Sequence, residues 1–163
     1  MSNIPDHWEV RRLAGALGAE VHGPDIGNAS LEDIEAIKSI LLEHMVIFLP
    51  DQSPTVDAHI SFGRHFGDLE GHPNLSSDTR FPPEIFQLEA SKGGVADEWH
   101  TDLTFQEQPA LMSILHMVQC PDTGGDTLWT SLYAAYDELS DPMKSMCDGL
   151  TALHDALPHN RPE

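Results

Sequence analysis

Between residues 31 and 45, Leu31, Ile34, Ile37, Leu41 and Met45 recur at the spacing of a helix that buries one face. Ser30 followed three residues later by Asp33 resembles a capping box at its start. Upstream, "WEVRRLAGALGAEVHG" reads as two short extended pieces around Gly15 and Gly18, which predicts a hairpin. Downstream, "VIFLP" at 46–50 is a short apolar run closed by Pro50, the pattern of a strand covered on both faces. Ser53 and Pro54 suit an N-cap and first helical position, opening a second helix through Ile60 to about Phe66.

The text then changes character. Gly, Pro, Asn, Ser and Asp crowd residues 67–83 into a loop, "EIFQLEA" at 84–90 resumes as a strand, and "SKGGVAD" reads as another loop. Two more strands are expected, at "EWHTDLTF" (98–105) and at about 111–120, with a turn at "PDTGGD" before "TLWTS". "SLYAAYDEL" predicts a short helix, and Asp141 with Pro142 starts another that runs toward Leu150. "LPHNRPE" brings no closing element. Strands in the middle with helices before and after predict an α+β domain, or a β-sandwich or barrel with helical decoration.

Composition narrows the field of partners. The 163 residues suffice for one domain with a real core but are short for two. Eight basic residues against 27 acidic give a formal charge of -19, which opposes phosphate backbones and anionic membrane surfaces. Neither nucleic acid nor membrane is an expected partner, and a homo-oligomer stays open. No stretch approaches the roughly 20 apolar residues that span a bilayer, and "MSNIPDHWEVRRLAG" lacks a signal-peptide core, so a cytoplasmic protein is expected. Cys120 and Cys147 lack any paired-thiolate spacing, which argues against zinc-ribbon or redox readings.

The chemistry sits in "EWHTDLTF". In a strand, side chains two apart share a face, so His100 and Asp102 would present one nitrogen and one carboxylate oxygen to a common point. Two histidines and one carboxylate with open positions are the donor set of non-haem Fe(II) oxygenases. Taken alone, the tripeptide is equally an exposed strand face or a His-Asp hydrogen bond.

The wider order of motifs is more specific. "WHTDLTF", then "GGDTLWTS", then "AAYDELS", together with the earlier "VIFLPDQ" and "FGDLEGHP" and the later "GLTALHD", resembles the taurine dioxygenase and 2,4-dichlorophenoxyacetate dioxygenase family of Fe(II)- and 2-oxoglutarate-dependent enzymes. The resemblance runs from about residue 10 to 156. It implies a single dioxygenase-like domain over 1–163, a double-stranded β-helix (jelly roll) core with flanking helices, incomplete at the C-terminus. His100 and Asp102 match the first two iron ligands. Thr127 matches the position whose hydroxyl helps bind the distal carboxylate of 2-oxoglutarate, and Trp129 an aromatic near that site, with a core tryptophan as the other reading. His72 matches the position that contacts the anionic head of the substrate, though a loop histidine beside Pro73 can also cap a turn. Leu103 matches an apolar position lining the substrate pocket.

The implied reaction is hydroxylation of a small anionic organic substrate by dioxygen, with 2-oxoglutarate decarboxylated to succinate and CO2. Leu75 and Ala96 stand where the taurine enzyme uses a tyrosine and an asparagine, so sulfonates other than taurine, alkyl sulfates and aryloxy acids are all open. The family keeps its second histidine ligand, and the arginine that pairs with the cosubstrate, roughly another hundred residues on. The setting of Arg161 does not match that motif. A dianionic cosubstrate in so acidic a chain needs such a cation. His116, on a mostly apolar alternating segment, reads as a core or edge histidine, and His154 as a residue that orients a loop or contacts a neighbour. Two further readings are a catalytically silent binding or oligomerisation module of the same fold and, more weakly, a metal hydrolase.

Overall fold

A parallel pair of strands cannot be joined by a tight turn, and here the required crossover is a helix. Strand β1 (Glu9–Arg12) pairs antiparallel with β2 (Ala19–His22), and β2 pairs parallel with β3 (Ile47–Phe48), with Ala19 opposite Ile47 and Glu20 opposite Phe48. Helix α1 (Leu31–His44) makes the crossover. Helices α2 (Val56–Arg64), α3 (Leu132–Asp137) and α4 (Asp141–Cys147) complete the regular elements among the described residues. These come from a computed structural model in which residues 4–71, 81–89 and 98–155 are described.

The chain gathers into two units. One takes the described residues up to Phe86 together with Cys120–Leu139; the other takes those from Gln87 to Gln119 and from Ser140 onward. In the first unit, the expected hairpin forms: Leu13 N–H donates to the Gly18 carbonyl at 2.9 Å, and Gly18 takes φ 96, a conformation that favours glycine. Ala19 and Val21 turn inward and are essentially fully buried, while His22 faces solvent and Glu20 is half-buried. Gly23, at φ 116, lies so close to Trp8 that a Cβ there would sit 2.5 Å from the indole.

Helix α1 starts where its capping box predicts. Asp33 N–H donates to Ser30 Oγ at 3.1 Å, and Ser30 N–H donates back to Asp33 Oδ2 at 2.9 Å. Its buried face is Ile34, Ile37, Ile40, Ala36 and His44. The expected stripe therefore holds in the middle and fails at its ends: Leu31 is 70% exposed, and Met45 leaves the helix at φ 63. "VIFLP" yields a two-residue strand that is half-buried and lies at an edge, since among the described residues β3 pairs only with β2. Beyond it, the Gln52 amide ties the loop after β2 to its own loop after β3, accepting from Ile26 N–H (3.0 Å) and donating to the carbonyls of Pro24 (2.9 Å) and Pro50 (3.0 Å).

Helix α2 begins two residues later than expected. Thr55, not Ser53, is the N-cap, its hydroxyl accepting from Ala58 N–H at 3.2 Å, and the helix stops at Arg64. Ser131 caps α3 in the same way and is itself buried. Ser140 stands at the N-cap position of α4 without a side-chain cap bond, and Asp141 and Pro142 fall in the first turn.

The strands expected at 98–105 and 111–120, and over the described part of 84–90, are not formed. A strand needs a neighbour to satisfy its backbone groups, and among the described residues the only ladders are those joining β1, β2 and β3. Leu111, Leu115, Met117 and Val118 accordingly lie exposed. The jelly roll implied by the resemblance is thus not directly visible in this small sheet and its helices.

The core makes a clear prediction. Ile37→Ala should cost about 2–5 kcal/mol, the usual range for truncating a buried aliphatic residue, whereas Leu31→Ala should change stability by no more than about 0.5 kcal/mol. Urea unfolding of the two variants separates them, and equal losses would disprove this assignment of the buried face.

Candidate metal centre

His100 and Asp102 converge, but through a turn rather than along a strand. Gln106 N–H donates to the Leu103 carbonyl at 2.9 Å, and Leu103 takes φ 53, a left-handed conformation that costs a side-chain-bearing residue about 1–2 kcal/mol. His100 Nδ1 lies 2.7 Å from the Glu98 carbonyl. A carbonyl can only accept, so the bond puts a proton on Nδ1 and leaves Nε2 of the neutral ring with a free lone pair.

That lone pair faces Asp102 Oδ1 across 3.4 Å. Two acceptors so placed are reconciled either by a proton on Nε2 or by a metal ion. Atoms bonded to one ion at about 2.1 Å each can stand up to ~4.2 Å apart, so the pair fits a shared ion. The side chains are 54% and 57% exposed, which leaves access from solvent. Among the described residues no group of three His, Cys, Asp or Glu side chains is assembled to hold a metal.

Sequence reasoning missed two supporting contacts. One is the Glu98 carbonyl, since a backbone oxygen has no sequence signature. The other is Ser113, whose hydroxyl donates to Asp102 Oδ2 at 3.1 Å. His154 Nδ1 lies 2.8 Å from Thr104 Oγ1, so it joins the segment after α4 to the turn that carries Asp102, in line with a loop-orienting role. His116 is exposed rather than in a core or paired strand.

In the other unit, Gly124 and Gly125 both take positive φ (79 and 75), which makes the turn expected at "PDTGGD". Thr127 follows it and is exposed. Trp129 packs edge-on against Phe48 of β3, with ring centroids 5.2 Å apart at 80°, and is 41% exposed. Ser131 Oγ approaches Met45 Sδ at 3.6 Å. The segment carrying Thr127 is therefore fastened on its downstream side at two points, to Phe48 and to the end of α1. His72, Leu75, Ala96 and Arg161 lie outside the described residues.

An imidazole and a carboxylate on one turn, with the ring's far nitrogen engaged by a main-chain carbonyl, are donors of the kind used by non-haem metal enzymes. Comparison with known proteins makes this specific. The family "Taurine catabolism dioxygenase TauD, TfdA family" matches residues 9–162, and the chain belongs to it. Relatives include an alpha-ketoglutarate-dependent sulfate ester dioxygenase from Pseudomonas putida, 37% identical over 90% of this chain and 49% of that protein. An alkylsulfatase from Acinetobacter baylyi is 34% identical over 94% of this chain and 49% of its own length. A crystal structure of a taurine dioxygenase from Burkholderia xenovorans is similar with a TM-score of 0.72 and 35% identity, over 87% of this chain and 51% of that one. The chain thus spans about half the length of the curated relatives it matches.

The tautomer is directly measurable. Long-range proton–nitrogen NMR of the metal-free protein, at a pH where the ring is neutral, should show the proton of His100 on Nδ1. A ring found predominantly as the Nε2–H form would contradict the Glu98 contact and the donor role built on it.

Proposed function

We propose that these residues belong to an Fe(II)- and 2-oxoglutarate-dependent dioxygenase that oxidises a small anionic organic substrate, a sulfate ester foremost. The observation that carries the reading is the pair His100 Nε2 and Asp102 Oδ1, 3.4 Å apart, in a family whose members are named as dioxygenases. The chain is one dioxygenase-like domain, its sheet the beginning of a jelly roll. Sulfate esters come first because two relatives at 37% and 34% identity are named for them.

In this reading His100 and Asp102 hold iron as two ligands on one side, which leaves coordination positions for a chelating keto acid and dioxygen. When bound, iron and 2-oxoglutarate supply the oxidising power, with the keto acid leaving as succinate and CO2. By the family resemblance, the Thr127 hydroxyl is assigned to the distal carboxylate of the cosubstrate and Trp129 is the aromatic that accompanies it. Leu103, half-buried and next to Asp102, presents an apolar surface to the substrate, and His72 meets its anionic head. A complete centre also needs a third iron ligand and a cation for the cosubstrate, which these residues do not themselves supply.

The overall balance is simple. One oxygen atom of O2 enters the C–H bond beside the ester oxygen and the other enters succinate; the resulting hydroxy sulfate breaks its C–O bond to sulfate, giving an aldehyde and hydrogen sulfate.

The test uses the protein as expressed from its own gene, supplied with Fe(II), 2-oxoglutarate, air and in turn an alkyl sulfate, an alkyl sulfonate and an aryloxyacetate. Succinate and sulfate should appear in equal amounts with the alkyl sulfate, and His100→Ala or Asp102→Ala should reduce both by a factor of about 100 or more, as expected when a metal ligand is removed. Turnover unaffected by either substitution would refute the assigned ligands. Succinate formed only with another substrate class would move the specificity. Iron binding without any turnover would favour a silent binding module.

A further inference from the structure

A carboxylate has two oxygens, and a metal can take one or both. In Asp102 the two are already distinguished: Oδ1 faces His100 Nε2 at 3.4 Å, while Oδ2 accepts the Ser113 hydroxyl at 3.1 Å. We infer that Ser113 is a positioning residue for the metal centre, which holds Asp102 so that only Oδ1 is offered to the ion. The inference rests on the reading of His100 and Asp102 as metal ligands and adds a residue to it.

The physical argument starts from exposure. Asp102 and Ser113 are both exposed, so their bond competes with water and contributes little to folding. Its consequence is directional. Asp102 sits on a turn, where no sheet fixes its side chain, and without a partner the carboxylate can rotate about its last bond and exchange oxygens. The bond from Ser113, eleven residues further along the chain, selects one orientation. Occupying Oδ2 also disfavours two-oxygen chelation, which would consume a coordination position that the keto acid or dioxygen needs.

His100 is treated in the same way from the other side. Its Nδ1 is held by the Glu98 carbonyl, so each ligand has one atom turned to a protein partner and one atom free. The two free atoms are those that face each other. A hydroxyl at 113 therefore matches, for the carboxylate, what the Glu98 carbonyl does for the imidazole.

Co(II), an air-stable stand-in for Fe(II), titrated into the chain and followed by paramagnetic broadening of the His100 ring protons and the Asp102 β-protons, tests this without turnover. Ser113→Ala should weaken Co(II) binding about 10–100-fold, the range for losing a partner of a metal ligand, with the thermal midpoint unchanged. Ser113→Thr, which keeps a hydroxyl, should restore binding. Wild-type and Ser113→Ala proteins that bind Co(II) equally would overturn the role of Ser113 and leave the ligand pair standing. No broadening at His100 in the wild-type protein would overturn both. A Ser113→Ala protein whose midpoint falls along with its affinity, unrescued by threonine, would mark Ser113 as structural and refute the inference.

Discussion

Burial of the isoleucine face of α1 is the constraint on which the first unit depends. Ile34, Ile37 and Ile40 are almost wholly removed from water, as are Ala19 and Val21 on β2. The hydrophobic gain, about 2 kcal/mol for a fully buried aliphatic side chain, can be collected only if the helix returns the chain alongside β2. That return sets β3 parallel to β2 and brings Met45 and Phe48 to the far end of the crossover. Phe48 then receives Trp129, and Met45 receives Ser131. The placement of the Thr127 segment is thus a distant result of where three isoleucines are buried.

The second unit obeys a different rule. It carries α4 but no ladder among its described residues, and its order comes from short polar contacts: Glu98 carbonyl to His100, Ser113 to Asp102, His154 to Thr104. Such contacts are individually weak, on the order of 1 kcal/mol each. They are nevertheless well suited to aiming side chains, because hydrogen bonds have direction and apolar packing does not. The potential metal ligands therefore sit where aim, rather than burial, dominates.

What the sequence made legible follows from the range of the interactions. The α1 capping box is a three-residue pattern and was readable in full. The start of α2 is ambiguous in sequence because Ser53 and Thr55 are both competent caps, and only the folded chain decides that the Thr55 hydroxyl faces the free N–H groups. The strand reading of 98–105 failed, since a strand is defined by a partner that local sequence does not contain. Yet its main consequence survived: two side chains that a strand would place on one face are brought together by a turn instead. Ser113 could not be read at all, because nothing local links it to a residue eleven positions earlier. The family motifs, by contrast, were readable because their order along the chain is itself information.

The imidazole of His100 is oriented by an oxygen of the main chain, not of a side chain. Every amino acid at position 98 would offer the same oxygen. Substitution there can add or remove a charge two residues from the His100 imidazole while leaving the direction of its lone pair intact. Evolution can thus adjust the electrostatic environment of this imidazole from position 98 without disturbing its orientation.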